Sequence, residues 1–186
     1  MAQTLTLDLA KQIVAQHIDD DHLLAHCLAV SAAMAGMAAH FGEDAEHWQA
    51  VGYLHDVDYQ KYPQEHLQHT EELLAPYDVP AEDLRAVLSH GYGICTQVEP
   101  QTLMEKSLFT VDELSGIVQA AARLRPGGLS DMEVKSVLKK FKDKRFAAGC
   151  DRQVILQGCQ MLEMELSDVL QCVLDGMKPC AQALGL

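Results

Sequence analysis

The stretch Val51-Gly52-Tyr53-Leu54-His55-Asp56-Val57-Asp58-Tyr59 sets an imidazole and a carboxylate directly after an apolar run. The run predicts a buried helix that ends where His55 and Asp56 reach a cavity. Neighbouring side chains of a continuous helix point about 100° apart, so this pair can serve one metal ion only if the helix loosens there. Imidazole binds transition metals well, and carboxylate suits harder ions such as Mn and Mg. The alternative is a buried histidine bonded to a carboxylate without a metal.

The composition favours helices and one domain. The chain has 186 residues, of which 48% are apolar and only 5% aromatic. Sheets are rich in aromatic and β-branched residues, whereas Ala, Leu and Met favour helices. We therefore predict an all-α fold, a compact multi-helix bundle. A single domain over residues 1–186 is expected, with a core at about 20–125 and C-terminal helices at 130–186 packed on it.

The charge and the cysteines limit the partners and the compartment. A formal net charge of −13 repels phosphate backbones, so broad nucleic-acid binding is not expected. A small phosphorylated substrate is compatible with this charge, because a metal and a few local cations can outweigh the global field. Six cysteines without C-x-x-C spacing predict reduced thiols and a cytoplasmic protein. Residues 1–8 do not resemble a signal peptide, and no apolar run of about 18 residues predicts a membrane span.

Cap residues and apolar periodicity predict the order of the helices. Small residues on the second helix permit close packing with a neighbour, and the Ala- and Met-rich faces suit a homodimer. The first predicted helix begins after Thr6, and the second runs from about 22 to a C-cap at Gly42. The next predicted helices cover 43–56, 64–74, 80–90 and 102–124. A short helix follows behind a Ser130–Glu133 capping box, and two further helices cover 151–164 and 167–184.

Histidine and aspartate recur along successive predicted helices, at His26, at His55-Asp56 and at Asp112. In a helical bundle such distances return the chain to the same place on different helices. Bundles build metal sites from inward-facing ligands on separate helices. Two imidazoles and two carboxylates would leave positions open for water and substrate on an octahedral ion. Each residue taken alone also fits a satisfied polar group in the core.

This order of residues resembles the HD-domain superfamily of metal-dependent phosphohydrolases, whose pattern is H…HD…D on an all-helical core. The local anchors are His26, Tyr53-Leu54-His55-Asp56 and Phe109-Thr-Val-Asp112-Glu-Leu. The segment 133–149 is similar to that of small stand-alone bacterial HD proteins. The chain has His55-Asp56-Val57-Asp58 in place of the HD-I-G version and lacks a Gly-Tyr-Pro signature. A cyclic-dinucleotide phosphodiesterase is therefore not indicated.

The resemblance implies that His26, His55, Asp56 and Asp112 bind a divalent ion, with Mn, Mg, Fe, Zn and Ni as candidates. His55 and Asp56 are the implied catalytic residues, and Asp56 or a nearby histidine handles the proton. His66 and His90 fall where some HD proteins hold a second metal or orient substrate. His69 lies close to His66 along the chain, and the alternative for all three is a histidine at a loop edge.

Other polar residues have two interpretations. Lys106 precedes Asp112 on the long helix and is a candidate phosphate contact, as are Arg125 and the basic run at 135–145. A solvated helix face is the alternative for that run. His22 is a candidate partner of the metal ligand His26. The alternative is that His22 is an exposed residue at a helix start. Asp58 is a candidate acceptor of a hydrogen bond from a ligand histidine or a water. The alternative is that Asp58 is an aspartate in a loop without such a role. His17, His40 and His47 are interpreted as surface residues.

Three functions follow from these residues. The first is a metal-dependent phosphohydrolase acting on a small phosphorylated substrate, such as a nucleotide, through a metal-activated water. The second is a di-iron oxygenase of the HD fold, which needs at least two more ligands, such as His66 and His90. The third is a non-catalytic binding protein that keeps the fold, which predicts a site without an open metal position.

Overall fold

The computed structural model describes residues 5–186, so residues 1–4 of the segment examined for a signal peptide lie outside it. This part of the chain is helical and contains no β-strand, which confirms the all-α prediction. The helices are α1 (Leu7–His17), α2 (Asp21–Phe41), α3 (Ala45–Leu54), α4 (Thr70–Leu74), α5 (Ala81–Ser89), α6 (Leu103–Arg123), α7 (Val134–Lys142), α8 (Arg152–Leu162), α9 (Leu166–Met177) and α10 (Ala181–Leu184).

The caps of the long helices include two that the sequence predicts, Thr6 at the start of α1 and Gly42 at the end of α2. The side chains of Thr6 and Asp20 accept hydrogen bonds from backbone N–H groups of the first turns of α1 and α2. Gly42 closes α2 in the left-handed conformation, with φ of 72°. Thr102 and Glu105 form a reciprocal capping box at the start of α6. These local hydrogen bonds satisfy N–H and C=O groups that a helix end leaves without partners.

α2 is the central helix of the bundle. It packs against α3 and α6 on one part of its surface and against α9 on another, and α8 packs on α6. By length and composition α2 could also cross a membrane, contrary to the expectation from the sequence. However, 56% of its most apolar stretch is buried among the other helices, as in a core helix.

The contact between α2 and α9 depends on two glycines. A Cβ atom at Gly36 would lie 1.9 Å from the backbone oxygen of Cys172, and one at Gly176 would lie 2.1 Å from that of Ala32. Both obstacles are backbone atoms of the opposite helix. The predicted close packing of the small residues on α2 is thus realised against α9.

Three predicted helix boundaries are wrong. Residues 64–69 form turns, because the Asp58 carboxylate accepts bonds from the backbone N–H of Leu67 at 2.7 Å and the hydroxyl of Thr70 at 3.1 Å. Ser130 makes no capping box, since its hydroxyl donates to the Gly127 carbonyl and α7 begins only at Val134. The last predicted helix is interrupted at 178–180 by a 3-10 turn that contains Pro179, which has no N–H to continue an α-helix.

His47 is another correction, because it is not a free surface residue. Its Nε2 lies 2.6 Å from Oδ1 of Asp83, a fully buried carboxylate on α5. The hydrogen bond to Asp83 and the negative charge there raise the pKa of His47 against the opposing effect of burial. The pair therefore joins the first turn of α3 to α5.

We expect this pair to stabilise the fold in a pH-dependent way. Because the pKa of His47 is raised in the folded state, its contribution is complete below the ordinary value of 6.5 and is lost as the pH rises through the raised pKa. The free energy of unfolding lost in His47→Gln should be greatest near pH 5.5 and should shrink toward pH 9. Chemical denaturation across this range measures it, with His40→Gln as the exposed control. A loss that does not change with pH would contradict the assignment.

Candidate metal centre

The end of α3 brings two polar side chains into the core. The helix stops at Leu54, and residues 55–58 continue as turns. The loosening that an adjacent pair of ligands requires is therefore present at this point. His55 is fully buried and Asp56 is 7% exposed. Both side chains point into one cluster with residues of α2 and α6.

The first set of ligand atoms faces Oδ2 of Asp56. Nε2 of His26 lies 2.9 Å from Oδ1 of Asp112 and 3.6 Å from Oδ2 of Asp56. Nε2 of His55 lies 3.4 Å and 3.3 Å from the same two oxygens, and 3.2 Å from Nε2 of His26. Ligands about 2.1 Å from a shared ion stand about 3.0–3.4 Å apart at octahedral or tetrahedral angles. The distances between these nitrogens and oxygens, 2.9 to 3.6 Å, are close to this spacing.

The second set faces the other oxygen of Asp56. Nε2 of His66 lies 3.3 Å and Nε2 of His90 lies 3.5 Å from Oδ1 of Asp56. The two histidine nitrogens are 3.1 Å apart. His66 comes from the loop before α4, and His90 caps the end of α5. The Asp56 carboxylate thus stands between two groups of imidazoles.

Hydrogen bonds at the far side of three rings fix which nitrogen faces the cluster. Nδ1 of His55 donates to the Gly52 carbonyl at 2.8 Å, and Nδ1 of His90 donates to the Val87 carbonyl at 2.6 Å. Both carbonyls lie in the last turn of a helix. Nδ1 of His66 donates to Oδ1 of Asp58 at 2.8 Å. This is the partner role that the sequence analysis suggested for Asp58, and such partners orient metal-binding histidines.

The cluster has the chemistry of a cation site. In their neutral forms these three imidazoles present lone pairs at Nε2, because their protons are on Nδ1. The lone pairs converge on the oxygens of Asp56 and, in the first set, on Asp112. Acceptors at 3.1–3.5 Å repel one another unless a cation or added protons lie between them. The residues present therefore fit a metal ion in each set.

The family comparison covers these residues. The HD domain model matches residues 23–117, about half of the chain and the whole span from His26 to Asp112. The chain belongs to the HD domain family. No curated protein and no solved structure matches it. The resemblance found in the sequence is thereby confirmed, while α7 to α10 lie outside the matched part of the HD domain.

Burial and charge oppose each other in the HD motif of this chain. Burial alone would lower the pKa of His55, but Asp56 and Asp112 outweigh it and raise that pKa well above its usual value. Burial alone would raise the pKa of both carboxyl groups. However, His55 holds the pKa of Asp56 well below its ordinary range. Hydrogen bonds to His26 and His55 lower the pKa of Asp112. Without a metal, a proton on the His55 imidazole is therefore favoured by the two carboxylates.

A cavity of about 450 Å³ opens onto the HD cluster. Tyr59 and Ile94 line it and are 44% and 66% exposed, so apolar surface surrounds the polar centre. The described lining contains no lysine or arginine. The lining residues are Leu23, His26, Asp56, Tyr59, His66, His90, Gly91, Ile94, Cys95, Asp112, Glu113, Gly116, Cys150 and Val154.

Several predicted candidates lie away from this cavity. Lys106 is not among the lining residues, because it lies six residues before Asp112 and a helix turns through about 240° over that distance. Arg125 instead pairs with Asp131, 3.1 Å from Nε to Oδ1. His22 is exposed in the first turn of α2. His69 stacks on Tyr62, with ring centroids 3.8 Å apart.

Sequence reasoning missed three residues that line the cavity. Glu113 follows Asp112 within the motif itself, but its position on the wall depends on the loop before α8, since its Oε2 accepts a bond from the backbone N–H of Asp151 at 3.0 Å. Cys95 and Cys150 come from two separate loops. Their only signal in the sequence was a thiol outside the helical patterns. All six cysteines are unpaired, as predicted.

Proposed function

We propose that this protein is a metal-dependent phosphohydrolase that acts on a small phosphorylated substrate. The observation that carries the proposal is the Asp56 carboxylate, whose two oxygens face two separate groups of imidazoles. One carboxylate shared between two cations is a suitable arrangement for clamping a phosphoryl group, in which both attacking and leaving oxygens need stabilisation. Membership of the HD domain family supports the same class of reaction.

The donor set suggests which ions would bind. His26, His55, Asp56 and Asp112 would hold the first ion, and His66, His90 and the second oxygen of Asp56 would hold the other. Four imidazoles suit Mn, Fe, Zn or Ni better than Mg, which prefers oxygen ligands. A bound divalent ion would polarise a phosphoryl oxygen and lower the pKa of a bound water.

Other residues of the chain orient the candidate metal ligands. Asp58 keeps the proton of His66 on Nδ1, and the Gly52 and Val87 carbonyls do the same for His55 and His90. Tyr59 and Ile94 supply apolar surface to the cavity beside the cluster. That Asp56 or a nearby histidine moves the proton of the attacking water stays a prediction, as does the localisation in the cytoplasm.

The test combines metal content with phosphate release. Purified protein should contain a divalent metal and should release phosphate from members of a panel of phosphomonoesters and nucleotides when that metal is supplied. His55→Ala should reduce turnover by at least about a hundredfold. His40→Ala, an exposed histidine of α2, should not change it. Protein without metal whose activity is indifferent to His55→Ala would end this proposal.

A second candidate, a di-iron oxygenase, is favoured by the presence of His66 and His90 on the second oxygen of Asp56. It predicts about two iron ions per chain, substrate-dependent oxygen uptake and no phosphate release. A non-catalytic protein of this fold predicts a closed metal site. The cavity of about 450 Å³ at the cluster argues against that reading.

A further inference from the structure

One segment of this acidic protein is basic, and it lies beside the metal centre. The chain has a net charge of −13, yet lysines and an arginine recur between 135 and 145. The segment from the last residue of α7 to the first residue of α8, residues 142–152, is called the basic loop below. The basic loop lines a pocket of about 550 Å³ whose cationic lining residues are Lys142, Lys144 and Arg152.

The pocket adjoins the cavity of the metal centre. Cys150 lines both of them. The end of the basic loop is also bonded to α6, since the N–H of Asp151 donates to Glu113 next to Asp112. The shared wall comes from Cys150 in the C-terminal part of the basic loop, and Lys142 and Lys144 line only the adjoining pocket.

Arg152 gives the basic loop a defined shape. Its guanidinium donates to the carbonyls of Ala147 at 2.6 Å and of Cys150 at 3.0 Å. It also bonds the carbonyls of Phe141, Asp143 and Phe146. One side chain thus joins the end of α7 to the start of α8. A loop held in this way can present lysines at fixed positions, which a free surface tail cannot.

The two lysines of the pocket are available to an anion. Within residues 5–186 neither Lys142 nor Lys144 forms an ion pair, whereas Lys135 pairs with Glu133 at 2.8 Å. The metal cavity itself is lined by no lysine or arginine in the described chain. A further groove, which shares Leu23, His26 and Tyr59 with the cavity, is lined by Asp19, Asp20 and Asp21 and repels anions. Of these three openings, the pocket of the basic loop is the one lined by unpaired lysines, so it favours an anionic group that extends beyond the metal centre. Asp151 also lines this pocket, and its Oδ1 accepts a hydrogen bond from the backbone N–H of Gln153 at 2.8 Å.

We propose that Lys142 and Lys144 bind a second anionic group of the substrate while the scissile phosphoryl group lies at the His/Asp cluster. This inference rests on the proposed function and deepens it. It assigns the substrate to small phosphomonoesters that carry a further phosphate or carboxylate. It also gives the basic run a role in recognition, in place of the solvated helix face that the sequence alone allowed.

The first experiment measures the binding of inorganic phosphate without relying on catalysis. The full-length chain is stripped of metal with a chelator, its fold is checked by circular dichroism, and phosphate is titrated by phosphorus NMR. Native protein should bind phosphate. Lys142→Gln/Lys144→Gln should bind it about tenfold more weakly. Lys135→Gln/Lys139→Gln removes the same charge from the same basic run outside the pocket and should change the affinity by less than about twofold.

A kinetic comparison tests the link to the metal centre. For phosphomonoesters matched except for a second anionic group, Lys142→Gln/Lys144→Gln should raise KM about tenfold only for the doubly anionic member and should leave kcat unchanged. Absence of phosphate binding to stripped native protein, or equal weakening in both double variants, would overturn the inference. If no phosphomonoester is hydrolysed, the proposed function fails, and the phosphate titration still decides whether the basic loop binds anions.

Discussion

Asp56→Asn should remove both metal ions from the protein and abolish metal-dependent turnover. One oxygen of the Asp56 carboxylate lies beside His26 and His55, and the other lies beside His66 and His90. An amide keeps the size of the side chain but loses the negative charge, and its nitrogen cannot bind a cation. Loss of a single partner of a metal-ligating histidine already costs 10- to 100-fold in affinity or activity, so we expect a loss of more than about a hundredfold here.

Elemental analysis of metal-replete protein checks this result against two variants. His66→Gln alters only the second set, so it should retain the ion held by His26, His55 and Asp112. Asp8→Asn replaces an exposed carboxylate of α1 and should keep the native metal content. If Asp56→Asn retained one tightly bound ion, Asp56 would not be shared, and the proposed two-ion arrangement would be wrong.

Gly36→Ala should be the most destabilising small substitution in the bundle. The added methyl group would stand 1.9 Å from the carbonyl oxygen of Cys172, and only separation of α2 from α9 can relieve that overlap. Overpacking of a close-packed core costs about 1–3 kcal/mol and occasionally more. Because the obstacle is backbone, we expect a loss of at least about 2 kcal/mol in the free energy of unfolding, measured by denaturant titration.

Gly149→Ala is the matched control for this measurement. A Cβ atom at Gly149 would meet no atom within 4 Å, so the same chemical change should alter stability by less than about 1 kcal/mol. Equal losses in the two variants would mean that the intrinsic properties of glycine, and not the α2–α9 contact, determine the result. An unchanged stability in Gly36→Ala would refute the close approach of the two helices.

The sequence predicts those parts of this molecule that local patterns encode. Thr6, Gly42 and Thr102 act on their own helix ends, so their cap roles follow from neighbouring residues. The order of His26, His55-Asp56 and Asp112 indicated the cluster because it matched a family pattern as well as the helical periodicity. Metal binding by each of these side chains stays a prediction.

The missed features depend on side-chain directions and contacts that apolar periodicity does not encode. The turns at 64–69 follow from Asp58, which captures Leu67 and Thr70 and so overrides helical periodicity. Lys106 looked close to Asp112 along the chain but lies outside the cavity lining. Cys150 reaches that wall through a loop whose shape depends on Arg152 bonding five carbonyls. None of these arrangements follows from the spacing of apolar residues alone.

The convergence of ligands from separate segments also links folding to metal supply. His26 comes from α2, His55 and Asp56 from the end of α3, His66 from a loop, His90 from the end of α5 and Asp112 from α6. Occupancy would therefore cross-link the first two-thirds of the chain at a single point, and binding free energy would become folding free energy. The C-terminal helices α7 to α10 contribute no ligand. Starvation for the ion would consequently destabilise the ligand-bearing helices, and it would also weaken the C-terminal helices, because α9 packs on α2 and α8 packs on α6.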